Sequence, residues 1–173
     1  MLKPPERGEA AAYYWTYIDK VPSGDIRQTL ASQAGETRAR LRAVSSERSL
    51  HRYARDKWSI REVMSHINDA ERVFAFRAFW FARGFAAPMP SYDQDAGVPA
   101  AAADDRAWES HLDEFTAVRA ATCALFDSLP GEAWDRRGIA SDNPVTVRAL
   151  AYICAGHLIH HLEILEARYL QEG

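Results

Sequence analysis

The sequence predicts an all-α fold, a four-helix bundle, and three observations carry that expectation. Four segments repeat apolar residues at three- and four-residue steps, the spacing that lines one face of an α-helix. Cap and stop residues bracket those segments, and no convincing strand pair, internal repeat or low-complexity tract separates them. At 173 residues the chain is the size of one domain with a sizeable core, and four long helices in that length argue for a bundle. The expected domain spans 1–173, with an N-terminal arm over 1–22 and the bundle over 23–170.

Pro4 and Pro5 predict a loose start, and "AAYYWTYIDKVP" predicts a short helix ended by Pro22 with its tyrosines against the body. Ser23 or Asp25 caps the first long helix, "DIRQTLASQAGETRARLRAV", and a loop, "SSERSLHRYARDK", follows. Ser59 caps the second, "IREVMSHINDAERVFAFRAFWFARG", where Glu62 completes a capping box and Gly84 is the stop. "FAAPMPSYDQDAGVPAAA", rich in Pro, Gly and Asp, predicts an irregular connection, long enough to be functional or disordered. The third helix, "DDRAWESHLDEFTAVRAATCALFDSL", is closed by Pro130 and Gly131. A short piece, "EAWDRRG", and a turn, "SDNP", lead to the fourth, "VTVRALAYICAGHLIHHLEILEARYL".

Composition narrows the function. A net charge of -3 with dispersed arginines argues against a nucleic-acid partner, which calls for a basic face. Cys123 and Cys154 have no CxxC spacing and read as small buried fillers. The opening "MLKPPERGEA" lacks the apolar core of a signal peptide, and no apolar run reaches the roughly 18 residues of a membrane span. A soluble cytoplasmic protein without a membrane partner is expected.

The stretch "GHLIHHLEIL" places three histidines in five positions of an apolar helix. A buried imidazole is costly unless it finds a hydrogen-bond or metal partner. Leu150, Cys154, His157, His161, Ile164 and Arg168 form one inward stripe, so His157 and His161 share a face one turn apart, where both can reach one ion. His160 is rotated by about 100° to the edge. His66 lies beside the inward stripe of the second long helix, Ile60, Val63, Ile67, Phe74 and Phe81. Three imidazoles close three corners of a tetrahedron and leave the fourth for water. His51, in a loop, and His111, on a polar stretch, read as surface residues.

The segments "KWSIREVMSHINDAERVFAFRAFWFARG", "YDQD" and "GHLIHHLEILEARYL" resemble the DinB superfamily, including its YfiT-like members, and the resemblance runs from about Asp25 to Leu170. It implies an up-down-down-up four-helix bundle, often dimeric. It also implies a divalent metal, typically zinc or nickel, held by one histidine of the second helix and two of the fourth. Those positions here are His66, His157 and His161, the set already reached from the helical wheel. The resemblance does not fix one reaction: some relatives transfer low-molecular-weight thiols or isomerise thiol adducts, and others are labelled hydrolases.

Such a site can bring a bound water near neutral pKa or deprotonate a substrate thiol. A small-molecule substrate is expected, with a low-molecular-weight thiol as one form of it. Asp69 and Glu71 are the candidate catalytic carboxylates. Glu71 lies close to the inward stripe and serves either as a general base or as an ion-pair member. Tyr92, Asp93 and Asp95 either edge the pocket or form a solvated acidic turn, while Glu163 and Glu166 read as surface carboxylates. The aromatic run from Phe74 to Phe81 needs a second cover, either a homodimer interface or the arm at Tyr13 to Tyr17. The reading is thus a metal-dependent transferase or hydrolase. The alternative is a non-catalytic metal-binding or stress-response protein whose ion is structural or sensory. A plain interaction module with packed histidines is the third reading.

Overall fold

Each long helix begins where the sequence supplies a cap. The computed structural model describes residues 2–171; Met1, Glu172 and Gly173, which the expected domain includes, lie outside them. A short helix, α1 (Trp15–Ile18), precedes α2 (Ile26–Leu41), whose N-cap Asp25 accepts from the Arg27 amide. Ser59 and Glu62 form the reciprocal capping box of α3 (Ile60–Ala82), and Gly84 stops it at φ +81°. After α4 (Gln94–Ala100) and α5 (Trp108–Asp127), a hairpin of β1 (Arg137–Ala140) and β2 (Asn143–Thr146) leads into α6 (Val147–Ile164). Thr146 caps α6 through the Ala149 amide.

Side-chain contacts fix the helix directions. Arg119 of α5 meets Leu30 and Gln33, while Arg38 further along α2 reaches back to Asp113, so α2 and α5 are antiparallel. Asn68 bonds His111 and Glu71 bonds Arg119, so α3 and α5 run parallel. His66 faces His157, and Arg136 before α6 reaches the Ala82 carbonyl at the end of α3, so those two are antiparallel. Gln33 with Ala155 and Arg40 with Glu166 make α2 and α6 parallel. In chain order this is up-down-down-up, a four-helix bundle as expected.

The apolar core falls into two clusters. One, around Leu30, Phe81, Phe126 and Leu150, lies towards α1 and the hairpin; the other, around Met64, Phe115, Leu158 and Leu165, fills the opposite end. His66 and His157 sit in α3 and α6 between residues of the two clusters.

Several expectations need correction. The hairpin was hidden because its four-residue strands turn through Ser141 and Asp142, both at positive φ, in place of the usual Asn-Gly, and Pro144 stands inside β2. The long connection is not wholly irregular: Asp93 accepts from the Asp95 and Ala96 amides and starts α4, with Pro99 in its last turn. The third long helix starts at Trp108, after a 3-10 turn at Ala103–Asp105. The arm is not loose, because Glu9 is buried against Thr146 (2.7 Å) and Arg148 (2.7 Å) at the N-terminus of α6. Arg168 leaves the inward stripe, because a π-turn over Leu165–Tyr169 rotates Leu165 and Tyr169 into the core.

Candidate metal centre

His66 is held in α3 between Val63 and Ile67 and is 2% exposed; His157 in α6 follows Cys154 and is 4% exposed. His161, one turn on, is partly buried. The Nε2 atoms of His66 and His161 each lie 3.1 Å from Nε2 of His157, and the three ligand atoms fall within 4.8 Å of one another. No fourth His, Cys, Asp or Glu joins the group among the described residues.

Hydrogen bonding does not satisfy this arrangement. An imidazole nitrogen has one in-plane site, donor or acceptor, so His157 Nε2 cannot bond both neighbours well. A shared ion resolves the conflict, since metal–nitrogen bonds of about 2.0–2.1 Å in a tetrahedron separate the nitrogens by roughly 3.4 Å. Electrostatics agrees. Burial lowers the pKa of His66 to about 4 and that of His161 to about 3, with neighbouring imidazoles adding to the effect. It holds His157 well below its usual value. All three are therefore neutral at neutral pH, the form that offers a lone pair to a metal.

Aromatic rings wall the cluster. Trp58, just ahead of the α3 cap, lies 5.0 Å from the His66 ring, and Tyr169 donates to the Trp58 carbonyl at 2.9 Å. Tyr17 of α1 stands edge-on to His157 at 5.2 Å and to His160 at 5.2 Å. A pocket of ≈ 350 Å³ opens on His66 and His157 between Tyr17, Phe74 and Tyr92. That volume lies at the lower end of small-ligand sites.

The other candidates separate. Glu71 is buried with both oxygens on Arg119 at 2.7 Å, in a network that continues to Gln33 and the Ala155 carbonyl. Asp69 is half-buried and paired with Arg72 at 3.3 Å; burial raises its pKa against the pull of that guanidinium. Tyr92, Asp93 and Asp95 do line the pocket. The Tyr92 ring lies nearly parallel to His66 (6.4 Å, 11°), and its buried hydroxyl has no partner. Burial, then the Asp69 charge, raises its pKa, so it remains a donor. Glu163 and Glu166 are exposed, His160 lies half-buried at the edge, and His51 is half-buried. Cys154 is buried as expected, whereas Cys123 is only half-buried.

The family model described as the DinB superfamily matches residues 29–165. The chain belongs to the DinB superfamily. No curated protein matches it. Among solved structures, this DinB-superfamily chain is similar to YfiT from Bacillus subtilis, described as a probable metal-dependent hydrolase with an unusual four-helix bundle topology. The TM-score is 0.72 at 15% identity, over 85% of this chain and 92% of that one. A DinB-like protein, YjoA, from the same organism gives 0.60 at 20% identity, over 84% and 90%. A mycothiol-dependent maleylpyruvate isomerase gives 0.64 at 11%, over 88% of this chain and 62% of that longer one. At these identities the likenesses establish the fold.

Three further residues of this DinB-superfamily protein were misread or missed in the sequence, and two of them, Gly156 and Arg77, shape the site. His111, expected at the surface, is fully buried, because Ala103 offers its carbonyl to Nε2 at 3.0 Å. Gly156 lets α1 dock beside His157: a Cβ there would come 2.1 Å from the Tyr17 carbonyl oxygen. The signal was available, since glycine inside a helix costs about 1 kcal/mol and calls for a packing reason. Arg77, buried in α3, lines the pocket and carried no signal in the sequence.

Proposed function

We propose that this protein is a metal-dependent enzyme in which His66, His157 and His161 hold one divalent ion, zinc or nickel, at the floor of the pocket. The observation that carries the reading is the convergence of three neutral imidazoles from α3 and α6, two buried and one partly buried, on one point beside a ligand-sized pocket. When bound, such an ion lowers the pKa of a coordinated water or thiol, so that a nucleophile forms near neutral pH. Two reactions suit that chemistry: transfer of a low-molecular-weight thiol, and hydrolysis. The mycothiol-dependent neighbour supports the first and YfiT the second.

The chain's own residues supply the rest. Tyr17, Phe74 and Trp58 exclude water from the ring faces of the histidines. Tyr92 presents an unused hydroxyl as a donor to a bound substrate. Asp69, with its raised pKa and its charge felt by the pocket residue Tyr92, is the carboxylate suited to accept a proton. Glu71 is engaged by Arg119, which supports a structural role. The absence of a fourth ligand among the described residues favours an open, reactive ion over one closed by Asp69. The reading includes a homodimer in the cytoplasm: the arm covers Phe74 through Tyr14, yet Phe76 and Phe85 stay exposed beside Trp80.

The test is elemental analysis of purified protein together with a substrate screen. One zinc or nickel per chain, lost in His157→Ala and His66→Ala, is the expected result. Thiol-plus-electrophile pairs and model esters or amides then separate transferase from hydrolase. Metal retained in both variants would remove the proposed centre.

A further inference from the structure

The pocket over the histidines has a second chemical pole that the metal reading does not use. Arg77 sits 11 residues after His66 on α3, three turns along the same face and about 16 Å further down the axis. It is 2% exposed, yet it forms no ion pair among the described residues. Its Nη2 donates to two neutral groups, the Pro90 carbonyl at 2.5 Å and Ser141 Oγ at 3.1 Å, and its buried Nε donates to nothing. Of the two other buried arginines, Arg119 has a carboxylate bound by two hydrogen bonds, and Arg61, which also lacks an ion pair, has neutral oxygen acceptors at all three nitrogens, so Arg77 alone of the three combines a missing counter-charge with an unused buried Nε. A guanidinium taken from water without a counter-charge is costly, and neutral acceptors compensate it only in part. The same pocket reaches both His66 and Arg77.

We propose that Arg77 is the specificity-determining anchor for a carboxylate on the substrate, whose reactive end lies over His66 and His157. The inference rests on the enzyme reading above. It adds the substrate class: an elongated small molecule with a single negative charge at the end remote from the histidines. Tyr14 and Phe74 give the middle of the pocket aromatic walls for an apolar linker. A carboxylate suits the site better than a phosphate monoester. One buried cation shares the pocket with the acids Asp93 and Asp95, and a monoanion meets less repulsion there than a dianion. Asp93 already spends one oxygen on the start of α4, and neither acid pairs with Arg77.

The experiment measures binding by calorimetry, without turnover, to chelator-treated and metal-loaded protein. The probes are linear monocarboxylates from butyrate to octanoate, their amides, and inorganic phosphate. Carboxylates are expected to bind at least about tenfold more tightly than the matching amides, and more tightly than phosphate. Arg77→Gln should abolish that preference while leaving the affinity for the amides unchanged, and Arg77→Lys should restore part of it. A merely structural Arg77 would lower both affinities together and leave the preference intact. Equal affinities for acid and amide in the wild type would overturn the anchor, and that comparison needs no variant to fold. Phosphate binding more tightly than every carboxylate would overturn the substrate class. A preference that survives in chelator-treated protein would sustain the anchor, whereas failure of the protein to take up zinc or nickel would count against the metal reading alone.

Discussion

His111 and His66 are both buried imidazoles whose Nδ1 lacks a partner, but only His66 has other histidines before its Nε2. At His111 the Nε2–H goes to a backbone carbonyl, and burial lowers the pKa, outweighing that bond. Protonation would bury a second N–H with no acceptor. The folded pKa lies below the unfolded value, so this contribution is fully present above about pH 6.5 and is lost as pH falls through the folded pKa. Urea titrations at neutral and mildly acid pH should show a smaller acid loss in His111→Gln than in the wild type; parallel losses would assign the effect elsewhere. Tyr92 makes a second test at this scale. Its hydroxyl is buried and unbonded, so Tyr92→Phe should leave the unfolding midpoint unchanged or raised. On the proposed reading, turnover in the same variant should fall by about tenfold, the loss of one transition-state hydrogen bond.

The four long helices were legible because each carries a cap and a stripe, and both signals are local. The hairpin was not, since tertiary contacts hold it: Met89 bridges to β1, and a Cβ at Gly138 would overlap the Phe81 ring. The docking of α1 belongs to the same class. Gly156→Ala should destabilise the fold by about 1–3 kcal/mol from overpacking, despite the better helix propensity of alanine, as read by denaturant unfolding. No loss would mean that α1 moves away freely. Between α3 and α5, the Arg119–Glu71 pair is buried from water on both sides. Arg119→Met should cost about 3–5 kcal/mol, because it strands the Glu71 carboxylate, and adding Glu71→Leu should recover most of that loss. Additive losses in the double variant would contradict that picture.

Across the whole molecule, the clustering of His66, His157 and His161 was readable from the HxxxH spacing and a wheel, but the buried arginine of the pocket was not. Arg77 lies in "AFRAFW", a context that looks like exposed helix, and only the loop at Pro90 and the turn at Ser141 bury it. On the proposed reading the ion joins α3 to α6, so removing it should act on the entire fold. At free metal 100 times Kd, binding adds about 2.7 kcal/mol of stability, and a chelator should lower the melting temperature accordingly. An unchanged melting curve in metal-loaded protein after chelation would contradict that linkage.

His66 and His157 are separated by 91 positions, with His161 later still. A nascent chain emerging from the ribosome offers His66 alone until the last helix of the bundle has been made. On the proposed reading, a cation can therefore meet all three imidazoles only after α6 has emerged.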